Sequence, residues 1–112
     1  MFELELESEV VQWLDGLTPN QFEWVSRYLD RLAADGLSLR GTITRQLSGK
    51  LRELRFQVDG RQMRVTYYMV DGRITALTVF AKTQQHEARQ IERARRAMER
   101  CILERHVAED DE

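Results

Sequence analysis

Residues 51–81, LRELRFQVDGRQMRVTYYMVDGRITALTVFA, decide the fold. Three runs, "LRELRFQV", "RQMRVTYYMV" and "RITALTVFA", are separated by Asp59-Gly60 and Asp71-Gly72. Such dipeptides close two-residue hairpin turns, because both central residues of the turn take positive φ. The spacing predicts a three-stranded antiparallel meander. The first turn then pairs Leu54 with Val65, Phe56 with Met63, Glu53 with Thr66 and Arg55 with Arg64, and the second sets Arg64 opposite Val79. Alternation sorts the side chains into two faces. Leu54, Phe56, Val58, Met63, Val65 and Tyr67 form an apolar face for helices to cover, while Glu53, Arg55, Gln57, Arg64, Thr66 and Tyr68 line an open one.

Beyond the meander, the pattern turns helical from Thr83 or Gln84, with Ala88, Ile91, Ala94, Met98 and Ile102 at helical spacing, which predicts a last helix packed on the sheet. Ahead of it, Leu39 to Gly49 reads as a loop. "FELELE", residues 2–7, alternates with period two and predicts a short first strand. From Ser8, the residues Val10, Leu14 and Leu17 share a helical stripe that stops near Gly16. "TPNQ", residues 18–21, opens a second helix with Thr18 as N-cap, Pro19 at the first helical position and Gln21 completing a capping box. Its stripe is Phe22, Val25, Leu29 and Leu32, and Asp35-Gly36 ends it. The expected architecture is α+β: a helical hairpin, an antiparallel sheet of a short first strand plus the meander, and a C-terminal helix. One domain spans residues 1–106, with an acidic tail at 107–112.

A chain of 112 residues suits one core without covalent staples. The lone Cys101 cannot form an internal disulfide and reads as a buried structural thiol, so a reducing cytoplasm is the expected location. No run of membrane-spanning length and no leader pattern is present, so a membrane is not among the expected partners. The net charge of −2 hides polarity. Residues 1–39 hold two arginines against eight acids, whereas residues 40–106 hold 15 Lys and Arg against seven acids. A basic block of this kind is either the footprint of a nucleic-acid partner or a solvated, ion-paired surface.

Two guanidinium groups facing each other across a sheet repel unless something compensates them. Glu53 lies diagonal to Arg64 and beside Arg55 on its strand, so an internal Arg/Glu/Arg network is one account. The other is an anion site of two forked donors oriented by Glu53.

The succession "LRELRF", a hairpin, "RVTYY" and "FAKTQQHEARQIERARRAM" resembles the RelE/ParE superfamily of toxins from bacterial toxin–antitoxin pairs, in particular its HigB-type, phage-related branch. The likeness spans roughly residues 2 to 100. It implies a ribosome-dependent messenger-RNA endoribonuclease that needs no metal or other cofactor, inhibits translation, and forms a hetero-oligomeric complex with a cognate helix-turn-helix antitoxin. In such chemistry the 2′-hydroxyl attacks its own 3′-phosphate, which requires positive charge around a phosphorane, a base and an acid. Arg55 and Arg64 match the family's basic strand positions and Lys82 its terminal lysine. Glu53, Tyr68 and His86 are the acid/base candidates, and Lys50, Arg52, Arg89, Arg93 and Arg96 the candidate RNA contacts. The chain departs from the pattern at Ala81, where a second lysine is usual, and at Glu87, where Pro is usual. By strict alternation Lys82 falls on the apolar face with Phe80, reaching the site only if the strand ends by Ala81. A gyrase-blocking ParE-like inhibitor, or a non-catalytic member that binds antitoxin or nucleic acid, are the alternatives. Trp13, Trp24 and Tyr28, in an acidic segment, read as packing or an antitoxin-docking patch.

Overall fold

The computed structural model describes residues 1–39, 43–83 and 85–110. In chain order it comprises β1 (Glu3–Leu6), α1 (Ser8–Asp15), α2 (Pro19–Asp35), a 3-10 turn (Gly36–Leu39), β2 (Thr44–Ser48), β3 (Leu51–Val58), β4 (Arg61–Val70), β5 (Arg73–Ala81) and α3 (Glu87–Asp110). The strands form one sheet in the order β1-β5-β4-β3-β2. The sheet is mixed, since β1 joins β5 in parallel while the other pairs are antiparallel.

Both hairpin turns form as their Asp-Gly pairs dictate, with Asp59, Gly60, Asp71 and Gly72 all at positive φ. The β3/β4 register is the expected one, including Arg55 opposite Arg64. The β4/β5 register is not. It starts as expected at Val70↔Arg73 but slips by one residue between Thr66 and Tyr67, so that Arg64 faces Phe80 rather than Val79. The extra residue lies on β5, where Tyr67 pairs with Ala76 and Thr66 with Thr78, leaving Leu77 as a bulge.

The segment 39–49, expected as a loop, contains β2, an edge strand paired with β3. Gly49, at positive φ, and Lys50 make the turn, and the strand before it is only five residues long, with a register shift between Gln46 and Ser48. Residues 40–42 of the expected loop lie outside the described residues, as does Gln84 at the expected start of the last helix. Residues 111 and 112 of the expected tail also lie outside them.

The helical hairpin covers one face of the sheet. Thr18 and Gln21 form the reciprocal capping box with Pro19 in the first turn, and Val25, Leu29 and Leu32 turn inward. With Val10 and Leu14 of α1 they bury the expected apolar face: Leu54, Phe56, Val58, Met63, Val65 and Tyr67, joined by Ile74 and Ala76. Phe22, assigned to that stripe, is exposed. At its edge Tyr28 stacks on Phe56 and Trp13 meets the same ring at a tilt, while Trp24 sits edge-on to Tyr28. Gly36 ends α2 in a right-handed conformation; a Cβ there would come within 3.2 Å of Ile74 Cδ1 and Phe2 Cε2. Its role is close approach rather than positive φ.

On the other face α3 packs Ile91, Ala94, Ala97, Met98 and Cys101 against Leu51, Tyr68 and Leu77. Ala88 and Ile102, expected in the apolar stripe, are exposed. The expected open face is therefore roofed along part of its length. No helix among the described residues is long and apolar enough to cross a membrane.

Candidate functional site

The backbone N–H of Arg55 donates to Ile43 O on the β2 side, so toward β4 the Arg55/Arg64 pair is of the non-hydrogen-bonded kind, in which side chains stand closest. Arg64 is not on an open face. Its residue is 6 % exposed, and burial is the main cause of a guanidinium pKa below its ordinary value; the Glu53 carboxylate opposes the fall and Arg55 and Arg45 add to it. Glu53 has no exposed surface and meets two arginines, Arg64 Nε at 3.6 Å and Arg45 Nη2 at 3.0 Å. Arg45, directly opposite Glu53 on β2, also donates to Glu87 Oε1 at 2.9 Å. A chain of alternating charge thus runs Arg64–Glu53–Arg45–Glu87 from the sheet to the start of α3.

The buried carboxylate bridges two arginines, Arg64 and, from the unexpected strand β2, Arg45. Sequence reasoning missed Arg45 because β2 was missed, and regular pairing back from Ser48↔Leu51 would have set Gln46 across from Glu53; the register shift between Gln46 and Ser48 puts Arg45 there instead. Arg55 is half-buried beside the chain.

Tyr68 does not join this site. It is 2 % exposed, its hydroxyl donates to Cys101 Sγ at 3.1 Å, and burial pushes its pKa up to about 12. It belongs to the core under α3, because the last helix covers the β4 segment that carries it. Cys101 is buried as expected, and burial raises its thiol pKa too.

The bulge at Leu77 inverts the alternation on which Lys82 was placed. Ile74 and Ala76 belong to the α1/α2 face, but past the bulge Thr78 meets Thr66, their hydroxyls 2.5 Å apart, and Phe80 faces Arg64. Phe80 and Lys82 therefore share the face of Arg55 and Arg64, contrary to the expected assignment to the apolar face. The ladder reaches Lys82, whose N–H donates to Gln62 O at 2.8 Å, and its side chain is exposed. Beside it, a shallow cleft is lined by Phe80, Ala81, Thr83, His86, Glu87, Arg89 and Gln90. His86 is exposed there, and its carbonyl accepts the Gln90 N–H in the first turn of α3.

Two groups hold the bulge. Thr78 N–H donates to Thr66 Oγ1 at 3.1 Å, and Val79 N–H, on the edge of β5 beyond the end of β1, donates to Glu9 Oε2 at 2.9 Å. Arg93 ion-pairs with Glu9 and so clamps α3 to that edge.

The candidate RNA contacts divide. Arg52 turns to the α1/α2 side, donating to Tyr67 Oη and Thr44 Oγ1, away from Arg55. On α3, Arg93 is engaged by Glu9, while Arg95 and Arg96 pair with Glu92 and Arg95 also with Glu99. Glu92 is accordingly held below the ordinary carboxylate range by hydrogen bonds from Arg95 and Arg96. Lys50, Arg89 and Arg100 are exposed and make no ion pair among the described residues.

This helical hairpin, five-stranded sheet and returning helix define a RelE-like toxin fold. The structure superimposes on a double arginine-to-alanine mutant of Escherichia coli toxin RelE in the free state with a TM-score of 0.60 at 13 % identity, covering 88 % of this chain and 96 % of that one. It matches RelE in the intact E. coli RelBE toxin–antitoxin complex with a TM-score of 0.54 at 14 % identity, over 76 % and 100 % of the two chains. The archaeal RelE–RelB complex of Pyrococcus horikoshii gives 0.54 at 15 % identity, over 74 % and 97 %. The chain belongs to the Phage derived protein Gp49-like family (DUF891), whose model matches residues 12–99. No curated protein matches it in sequence.

Proposed function

We propose that this chain is the toxin of a HigB-type toxin–antitoxin pair: a cytoplasmic, ribosome-dependent messenger-RNA endoribonuclease held in check by a helix-turn-helix antitoxin. The observation that carries the proposal is the bulge at Leu77, after which Phe80 pairs with Arg64 and Lys82 falls in register on the face of Arg55 and Arg64. In this proposal these cations act together with the imidazole of His86 at the head of α3. A phosphodiester placed there would have Lys82 and Arg55 to stabilise charge on the phosphorane, and His86 to move a proton between the 2′-hydroxyl and the leaving oxygen. Arg64 and Glu53, both buried, act beneath that surface by orienting their neighbours. The RNA-contact role is assigned to Lys50, Arg89, Arg96 and Arg100, four of the cations that face solvent.

The same burial favours a second reading. Of the six expected catalytic side chains only Lys82 and His86 are exposed, which also suits a ParE-like inhibitor that acts by binding gyrase. Brief induction in bacteria without the antitoxin separates the two. Codon-phased message ends support the nuclease, and DNA breakage with intact messages supports the inhibitor.

A further inference from the structure

The two carboxylates that hold Arg45 differ. Glu53 is rooted in the middle of β3 with no exposed surface, whereas the Glu87 side chain is 34 % exposed at the first residue of α3 and that of Arg45 is 46 % exposed. A rotation about the Glu87 side-chain bonds frees it into solvent without disturbing the sheet; no such movement is open to Glu53. With Glu87 withdrawn, the two guanidinium groups of Arg45 and Arg64 share the buried carboxylate of Glu53. The buried Arg64 Nε, moreover, donates no hydrogen bond among the described residues. A half-exposed ion pair is weak, and a forked guanidinium contact to a phosphate is stronger.

We propose that Arg45 is a phosphate-binding residue of this site and that Glu87 occupies its guanidinium until a phosphodiester of single-stranded RNA displaces it. The choice of RNA rests on the nuclease assignment; the competition between carboxylate and phosphate does not. Glu87 thereby sets the affinity of the free protein for its substrate.

The test uses fluorescence anisotropy of a labelled oligouridylate and thermal melts in inorganic phosphate against chloride at matched ionic strength. The variants are Glu87→Gln, Arg45→Gln and, as a control that removes one charge from the exposed face of α2, Glu23→Gln. Glu87→Gln is expected to bind the oligonucleotide roughly three- to tenfold more tightly than wild type and to gain more thermal stabilisation from phosphate. Glu23→Gln is expected to behave as wild type, and Arg45→Gln to lose the phosphate response. Should Arg45→Gln fold poorly, Arg45→Lys keeps the charge without the fork, and reduced affinity there supports the same conclusion. Equal gains in Glu87→Gln and Glu23→Gln, or a full phosphate response in Arg45→Lys, would overturn the proposal. A phosphate response without an oligouridylate response overturns the assignment to RNA. Tighter oligouridylate binding by Glu87→Gln in a protein that leaves messages intact supports the phosphate site and contradicts only the nuclease.

Discussion

Arg64 and Glu53 were legible as a charged pair but not as a buried one, because hairpin pairing fixes which residues meet and is silent about what covers them. Burial changes the expected effect of substitution. Arg64→Ala removes one of the arginines ion-paired with the buried Glu53 while Arg45 stays, and breaking a buried ion pair from one side is destabilising, by at most about 3–5 kcal/mol. Denaturant unfolding measures this; an unchanged midpoint would mean that Arg45 alone satisfies the carboxylate. Lys82 is the converse case, an exposed side chain with no core to support. Lys82→Met is expected to leave the melting temperature unchanged while slowing message cleavage by roughly one to three orders of magnitude, the loss of one electrostatic donor. Tyr68 carries a pH prediction. Its folded value of about 12 lies above the ordinary 10.0, so the proton is held more tightly in the folded state. The stability it contributes is complete below pH 10 and is lost as the pH rises toward 12. Cys101, also raised, falls away in the same direction from its ordinary 9.0. Unfolding followed across that range is expected to steepen for wild type and to flatten for Tyr68→Phe.

At the scale of elements, capping chemistry and turn residues named the second helix and both meander hairpins, because Thr18, Pro19, Gln21 and the two Asp-Gly pairs act over four residues or fewer, while the first helix was read from its apolar stripe. What they could not name was the bulge. A residue of bulge is fixed by contacts distant in sequence, here the Thr66 hydroxyl and the Glu9 carboxylate some seventy positions before Val79. The misplacement of Phe80 and Lys82 followed from that one slip, since a shift of one residue turns every later side chain to the other face. β2 escaped for a related reason: an edge strand of five residues carries too little alternation to stand out. Glu9→Ala removes the acceptor of Val79 N–H and the anchor of Arg93 together. Faster amide hydrogen exchange is expected at Val79 than in wild type, while the Asp59-Gly60 hairpin keeps its protection. Uniform exchange changes across the sheet would instead mean that Glu9 supports the whole fold.

For the molecule as a whole, the split between an acidic helical hairpin and a basic remainder was visible in composition, and the fold distributes it over the two faces of one sheet. Many of the arginines that gave the second half its charge turn out to be paired, Arg93 to α1, Arg95 and Arg96 along α3, Arg45 and Arg64 around Glu53. Net charge by segment overstated the surface available to a polyanion. Lys82 and His86 stay exposed, as do Lys50, Arg89 and Arg100, and the proposed nuclease is expected to work around the first two. The most direct measurement is the mapping of message 5′ ends after brief induction of wild type and of Lys82→Met in cells lacking the antitoxin. New ends phased to codons in translated regions, depleted at least tenfold in the folded Lys82→Met protein, are expected. Growth arrest by wild type with messages intact, or identical cleavage by both proteins, would contradict the assignment.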